Sequence, residues 1–325
     1  MYKVVKHIKV LSLFLLLLLT SCADKTSEVK TRAMYYWNTA FRIDAQKERF
    51  LAEHKVERLY VRYFDVVENE SGEPMPNATI DLPHDPLRLP HEWEGGARKG
   101  KDFKLEIIPT VYVHNDCMRK RHDGLAEKIL KRLLQMSETH HMGKVNEIQM
   151  DCDWTLSTRQ NFFAFLEELH AMTQQKGITL SATIRLHQLS QPVPPVDCGV
   201  LMVYNTGDLR KMDVEKPILD LNDVKPYLGQ LKKYDLRMAA AFPIYKWDLV
   251  FRNGKFVDIQ HEEGEIPMLE TDTIVTREPT LQDILECKEA VAKACPDCMS
   301  EIILFDLNNY NINRYKQADY EKIFN

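Results

Sequence analysis

The chain has 325 residues, of which 44% are hydrophobic, and its 43 Lys and Arg against 48 Asp and Glu give a formal net charge of −5. A chain of this length can bury a large core and is normal for a single α/β barrel domain. Basic residues do not gather into a patch, so we expect no nucleic-acid partner. We also expect a monomer.

The first residues have the features of a bacterial export signal. Three lysines lead into an apolar run over residues 10–19, which is short for a membrane span. Small residues and Cys22 follow in the order typical of a lipoprotein signal. We therefore predict that residues 1–21 are a signal peptide, that Cys22 is lipidated and that residues 22–32 form a lipidated tether. The alternative is an ordinary signal peptide or an uncleaved anchor.

Lipidation at Cys22 predicts a protein that is anchored in the bacterial cell envelope, at the outer membrane. Anchoring is stable when more than one acyl chain is inserted. The lipid is then the only contact with the membrane that we expect.

Residues 33–325 contain eight segments with the composition of strands, and helical spacing of apolar residues lies between most of them. The predicted strands lie within residues 34–38, 58–65, 106–113, 146–154, 180–185, 199–204, 237–242 and 301–306. The predicted helices cover residues 43–54, 125–136, 157–175, 224–234, 281–294 and 315–324.

Alternating strands and helices without a compositional break predict one α/β domain with a parallel sheet. Eight repeats over residues 33–325 predict closure into a (β/α)8 TIM barrel. An open, doubly wound sheet is the alternative, but its glycine-rich phosphate turn is absent.

Two long insertions interrupt the repeats, after strands two and seven. The first, residues 66–103, holds five prolines and four glycines. The second contains Asn253 and Gly254, which predict a type I′ hairpin turn, followed by a polar segment. Both fall on the C-terminal side of the barrel, where active sites are built. We predict that they form walls of a cleft, although loops without a function would look similar.

The fourth strand ends in two acidic residues, Asp151 and Asp153. Side chains alternate along a strand, so both share one face with Gln149, while the other face is apolar. We predict Asp151 and Asp153 as catalytic residues. The alternative is that Asp153 serves the N-terminus of the following helix.

The other strand ends carry aromatic, amide, carboxylate and basic side chains. Aromatic rings stack on the apolar faces of sugars, while polar groups bind the hydroxyls, so we predict a cleft for an oligo- or polysaccharide. Taken singly, an arginine of this set also fits a structural ion pair, and a tryptophan also fits core packing. The predicted substrate-binding residues are Trp37, Arg62, Asp65, Tyr112, His114, Arg185, Tyr204, Asn205, Trp247 and Asp306.

We expect neither a metal nor a cofactor. No spacing rule selects metal ligands from the acids and histidines at the strand ends, and no HExxH motif or nucleophile elbow occurs. Cys295 and Cys298 have redox or zinc spacing, but no second pair accompanies them. A local disulfide or free thiols are favoured there.

Residues 150–155 resemble the fourth-strand motif Asp-x-x-Asp-x-Asp-x-Glu of chitinase-like glycoside hydrolases of family 18. Asp151 and Asp153 match this motif, and Trp154 is in register. Residues 202–205 resemble the family's sixth-strand Met-x-Tyr-Asp. The chain is also similar to uncharacterised bacterial lipoproteins with glycosidase-like barrels.

The resemblance implies that the substrate's own acetamido group acts as the nucleophile. Asp153 would orient that group and Tyr204 would hydrogen-bond to it. The sequence departs from the family at three positions, because the catalytic Glu falls on Thr155, the first Asp on Ile148 and the sixth-strand Asp on Asn205.

Two functions follow. In the first, the protein is a glycosidase that hydrolyses O-glycosidic bonds. Asp153 or Asp151 is then one catalytic carboxylate, and a residue outside the fourth-strand motif is the other. The candidates for this role are Asp65, Asp306, Glu92, Glu262 and Glu263. In the second, it is a non-catalytic glycan-binding surface lipoprotein of an uptake system. The stacked acids favour the enzyme and Thr155 favours binding, and we lean to the enzyme.

Overall fold

Eight parallel strands close into a barrel in the structure, a computed structural model that describes residues 31–84, 105–260 and 265–325. The strands of the described chain are β1 (Thr31–Tyr36), β2 (Arg58–Glu68), β3 (Pro74–Asn77), β4 (Glu106–Val113), β5 (Glu147–Asp151), β6 (Thr179–Arg185), β7 (Cys198–Met202), β8 (Met238–Pro243), β9 (Trp247–Arg252), β10 (Lys255–Gln260), β11 (Asp272–Arg277) and β12 (Glu301–Phe305).

The barrel strands follow the order β1-β2-β4-β5-β6-β7-β8-β12, and β12 pairs with β1 to close the ring. Every one of these pairings is parallel. The predicted (β/α)8 barrel is therefore confirmed. All of its C-terminal strand ends face the same side of the molecule.

The helices of the described chain lie between the strands. They are α1 (Ala45–Glu53), α2 (Leu125–Thr139), α3 (Arg159–Lys176), α4 (Leu221–Val224), α5 (Leu228–Leu231), α6 (Leu281–Ala294) and α7 (Gln317–Phe324). Within the described ranges, no helix combines the length and the apolar character needed to cross a membrane.

The helix ends have local causes in the sequence. Thr280 accepts from the Asp283 backbone, and the Asp283 side chain bonds back to Thr280, so a capping box starts α6. Gly177 ends α3 with a φ of 65°, a conformation in which glycine carries no steric penalty. The continuous helix predicted over residues 224–234 is wrong. Pro226 lacks a backbone N–H, and a 3₁₀ turn at Lys225–Tyr227 separates α4 from α5.

The predicted lipoprotein signal and Cys22 lie outside the described residues. The described chain begins with β1, and its first two residues, Thr31 and Arg32, already pair with Glu301 and Ile302 of β12. The barrel thus starts within the end of the predicted tether.

Both insertions contain antiparallel strands. After β2, the short strand β3 folds back against the end of β2. After β8, the strands β9, β10 and β11 form a separate sheet in the order β10-β9-β11. Asn253 and Gly254 both have positive φ values at the turn between β9 and β10, which fits the predicted type I′ hairpin. The strand β11 was not predicted within the polar segment.

The inward side chains of β5 fall into three layers of the barrel interior. Glu147 lies at the bottom, Gln149 accepts a 2.9 Å hydrogen bond from the Tyr35 hydroxyl in the middle, and Asp151 lies at the top. The outward side chains Ile148 and Met150 are fully buried against the helices. The predicted alternation along this strand therefore separates packing from polar chemistry.

The bottom layer is held by one arginine. Arg58 bonds to Glu147 at 2.5 Å, to Glu301 at 2.7 Å and to Glu106 at 2.9 Å. These residues begin four different barrel strands. The guanidinium therefore joins four strands at the end of the barrel opposite the C-terminal strand ends.

We expect Arg58→Met to lower the free energy of unfolding by about 3 kcal/mol or more, because it leaves buried carboxylates without a cation. Urea unfolding of residues 23–325 measures this loss. The matched control is Arg42→Met, which breaks an exposed pair with Asp81 and should cost less than about 1 kcal/mol. Equal losses in the two variants would contradict the role assigned to Arg58.

Candidate active site

A cleft of about 800 Å³ opens over the C-terminal strand ends. This volume lies within the usual range of small-molecule sites. It is bounded by the ends of β1, β4, β5, β6 and β7 and by the connections after β8 and β12. Its lining residues are Trp37, Asn38, Tyr112, Asp151, Asp153, Arg185, Tyr204, Asn205, Tyr245, Lys246, Trp247, Asp248, Gln260, Phe305, Asp306, Asn308, Asn309, Tyr310 and Asn311.

Asp151 is the deeper of the two acids of β5. One of its oxygens accepts from the Thr183 hydroxyl at 2.6 Å and from Arg185 Nη2 at 3.0 Å. The pKa of Asp151 is raised overall, because the effect of burial exceeds the opposing effects of the Arg185 charge and the Thr183 hydrogen bond. The carboxylate is thus enclosed by partners from β6.

Asp153 lies just beyond β5, and its side chain is 47% exposed. Arg185 Nε donates to one of its oxygens at 2.5 Å, and the Tyr112 hydroxyl donates to the other at 3.2 Å. Burial and the negative charge of Asp153 raise the pKa of Tyr112, which keeps this hydroxyl a donor. Both oxygens of Asp153 are therefore engaged from neighbouring strands.

Arg185 joins the two acids. Burial lowers the pKa of Arg185, but the charges of Asp151 and Asp153 outweigh it and the net shift is well upward. The backbone N–H of Arg185 donates at 2.8 Å to Gln188, whose amide nitrogen donates at 3.1 Å to the Trp154 carbonyl. The side chain thus stays charged, and its backbone is tied to the segment that carries Asp153.

Asp306 follows β12 and is also buried. Its carboxylate accepts from the side-chain amides of Asn311 at 2.5 Å and Asn308 at 2.9 Å. Burial raises the pKa of Asp306 to about 6, although these hydrogen bonds lower it. At neutral pH the group is largely ionised, so it acts as an acceptor that holds the loop after β12.

A chain of aromatic rings runs through the cleft. The distances between successive ring centroids are 5.6 Å from Trp37 to Phe305, 5.7 Å from Phe305 to Tyr245 and 5.2 Å from Tyr245 to Trp247. Tyr204 packs against Phe305 at 5.2 Å. Flat apolar faces beside hydrogen-bonding groups suit the ring and hydroxyls of a sugar.

Thr155 stands outside the cleft lining. Its hydroxyl lies 2.9 Å from that of Ser157, and its backbone N–H donates to Thr158 at 2.9 Å. The residue is exposed at the start of the connection to α3. Its side chain is engaged in local turn contacts.

Nine of the predicted strand-end residues line the cleft, and three do not. The nine are Trp37, Tyr112, Asp151, Asp153, Arg185, Tyr204, Asn205, Trp247 and Asp306.

The three residues outside the lining have partners nearby. Arg62 makes a two-bond ion pair with Asp65 and lies 5.6 Å from the centre of the Trp37 ring. His114 packs against Tyr112 at 5.0 Å. Arg62 and Asp65 thus form an ion pair with each other beside the cleft. The loop glutamates Glu92, Glu262 and Glu263 lie outside the described residues.

Sequence reasoning missed the part of the lining that comes from loops. Lys246 and Asp248 flank the predicted Trp247, and Asn309, Tyr310 and Asn311 follow β12. The run of amides and a tyrosine directly after a barrel strand was the available signal for the second group. Phe305 and Gln260 were missed as well.

No metal site emerges from the described ranges, since no group of three or more His, Cys, Asp or Glu side chains there could hold a metal ion. Cys295 and Cys298 form a disulfide, in agreement with one of the two favoured states. This bond lies before β12.

Comparisons with known proteins give matches in structure alone. No family model matches the chain, and no curated protein matches it in sequence. The spore cortex-lytic enzyme SleL of Bacillus megaterium QM B1551 superposes with a TM-score of 0.55 at 10% identity, over 92% of this chain and 75% of that one.

Two chitinases give similar values. The chitinase of Chromobacterium violaceum ATCC 12472 superposes with a TM-score of 0.53 at 10% identity, over 90% of this chain and 98% of that one. The family 18 chitinase ChiB from the chitin utilization locus of Flavobacterium johnsoniae gives 0.51 at 10% identity, over 92% and 94%. At this identity the likeness shows the fold alone, a closed barrel of eight parallel strands.

The buried Asp306 predicts a specific pH dependence of stability. Its folded pKa of about 6 lies above the ordinary 3.8, so the folded state binds this proton more tightly. The stabilisation is fully present below the ordinary pKa and is lost as the pH rises through 6. Relative to Asp306→Asn, the wild type should lose roughly 2 kcal/mol of unfolding free energy between pH 4 and pH 7.

Urea unfolding of both proteins across this pH range measures the difference. Subtracting the variant cancels the contributions of the other titrating groups to a first approximation. A difference that stays constant with pH would show that Asp306 has an ordinary pKa in the folded protein.

Proposed function

We propose that this protein is a glycoside-hydrolase-like barrel that holds an oligo- or polysaccharide in the cleft without cleaving it. Lipidation at Cys22 would anchor it in the bacterial cell envelope, at the outer membrane. The observation that carries the proposal is that Arg185 bonds to both Asp151 and Asp153, the two acids predicted as catalytic.

Hydrolysis of a glycosidic bond needs a protonated acid beside the leaving oxygen and a second group that assists the attack. In the described part of the chain, four carboxylates line the cleft, and each already accepts hydrogen bonds. Asp151 and Asp153 are held by Arg185, and Asp306 is held by two asparagine amides. Asp248 accepts from Lys246 at 2.9 Å and from the Thr276 hydroxyl at 2.6 Å.

The remaining groups of the cleft suit a sugar that is bound and released unchanged. The aromatic rings offer apolar faces, and the amides of residues such as Asn38 and Asn309 lie among them. Chitinases share this fold, and this supports a carbohydrate as the ligand.

A hydrolase remains the second candidate, on one observation. Asp153 is half exposed at the cleft, so a substrate that displaces Arg185 could free its carboxylate. Binding and hydrolysis differ in their products, and this separates the two functions.

We expect residues 23–325 to gain melting temperature with one or more members of a panel of bacterial and host glycans, without release of reducing ends. Trp37→Ala removes an indole from the cleft and should weaken binding about tenfold or more. Leu156→Ala is the control, because Leu156 is 70% exposed outside the cleft lining. Its affinity should equal that of the wild type.

Reducing ends that appear with the wild type and disappear with a folded Asp153→Asn variant would establish the hydrolase instead. A panel without any binding or product would overturn both functions.

The predicted anchor has its own test. In a bacterial host the full chain should fractionate with membranes, because acyl chains on Cys22 insert into the bilayer. Cys22→Ala removes the lipid attachment site and should leave the protein without acyl label and outside the washed membrane fraction. A variant that keeps the label, or a wild type that never acquires it, would contradict lipidation at Cys22.

A further inference from the structure

The outer end of the cleft carries a second group of side chains, of which the sequence predicted only Trp247. They are Lys246, Trp247 and Tyr310, from the connections after β8 and β12. Tyr310 is 55% exposed, whereas Tyr204 and Tyr245 inside the cleft are each 7% exposed. The Tyr310 ring is thus open to a ligand, while the rings of Tyr204 and Tyr245 mostly form walls of the cleft.

Lys246 is fixed against the Tyr310 ring. Its ammonium lies 5.0 Å from the ring centroid and donates at 2.9 Å to Asp248. The other oxygen of Asp248 accepts from Thr276 of β11. Interaction with the Tyr310 side chain and the hydrogen bond to Asp248 raise the pKa of Lys246, so the ammonium stays charged at neutral pH. The small antiparallel sheet therefore places this cation.

The loop that carries Tyr310 is held on both sides. Asn308 and Asn311 bond to the buried Asp306, and the Asn311 carbonyl accepts from the Tyr320 hydroxyl at 2.5 Å. Asn309 donates to Asp44 at 2.7 Å. Because these hydrogen bonds hold the loop, its exposed aromatic ring is preorganised for contact, and less conformational entropy is lost on binding.

Trp247 lies at a different place in the cleft from Trp37. Three successive ring contacts, through Phe305 and Tyr245, connect the two indoles. The cleft therefore offers an inner aromatic surface at Trp37 and an outer one at Trp247 and Tyr310.

The charges at the cleft indicate the class of sugar. Among the described residues, four aspartates line it against the two cations Arg185 and Lys246, so the net charge of this described lining is −2 when all are ionised. Each cation is already paired with an aspartate. Repulsion disfavours sugars that carry carboxylate or sulfate groups, whereas uncharged sugars meet no such barrier.

We propose that Lys246, Trp247 and Tyr310 form an outer sugar-binding platform, so that the cleft takes an uncharged oligosaccharide that spans both aromatic surfaces. This inference rests on the proposed glycan-binding function and extends it. In this proposal the outer side chains bind further sugars of a long ligand, beyond those that the inner surface contacts.

Calorimetric titration of residues 23–325 with neutral oligosaccharides of increasing length tests the platform, using chito-, manno- and xylo-oligosaccharides from one to six sugars. Wild-type affinity should rise with length. Tyr310→Ala should lower the affinity for the longest bound member about tenfold or more and leave the shortest bound member at its wild-type value. Tyr310→Phe keeps the ring and should lose much less. Leu156→Ala is the control for lost exposed apolar surface and should match the wild type.

The outcomes separate the two proposals. If Trp37→Ala weakens binding while Tyr310→Ala keeps the wild-type length profile, the platform is wrong and the glycan-binding function stands. If the wild type binds none of the neutral series, the platform is overturned, whereas the glycan-binding function falls only if the panel of bacterial and host glycans also shows no binding. Oligogalacturonates that bind as tightly as neutral oligosaccharides of equal length would overturn the preference for uncharged sugars.

Discussion

The guanidinium of Arg185 is the interaction on which the candidate site depends. Two aspartates at the end of β5 repel each other and lie partly out of water, which makes an uncompensated pair costly. Arg185, at the end of the adjacent strand β6, bonds to both and compensates them. The same bonds that make this arrangement stable also occupy the carboxylates. In this barrel, stabilising the acids and using them as free catalytic groups are opposing demands.

The barrel interior repeats this solution at its other end. Arg58 lies among Glu106, Glu147 and Glu301 and joins the starts of four strands. Both clusters place one arginine among carboxylates from other strands, and the layer that contains Gln149 and Tyr35 lies between them. They differ in exposure to the cleft, because Asp151, Asp153 and Arg185 line it, whereas Arg58 and its partners are not among its described lining residues. A similar pattern of charges therefore joins strands at one end of the barrel and lines the candidate site at the other.

The connections after β8 and β12 convert a shallow barrel mouth into a cleft. The antiparallel sheet of β9, β10 and β11 holds Lys246 and Trp247, and the loop after β12 holds Tyr310. Asp306 links this loop to the barrel, since its buried carboxylate accepts from two asparagine amides of the loop. The barrel thus supplies the polar floor, and the connections after β8 and β12 supply the outer aromatic wall.

The sequence by itself determined the eight barrel strands, the turn at Asn253 and Gly254, and the face of β5 that carries Asp151. These features depend on local periodicity and turn chemistry, which neighbouring residues encode. Only the tertiary structure decided that Arg185 holds both acids and that Arg62 pairs with Asp65 outside the cleft lining. It also decided that the loop residues complete the cleft. These contacts join residues far apart in the chain or depend on backbone bends, so strand order and loop conformation determine them, and neither is a local property of the sequence.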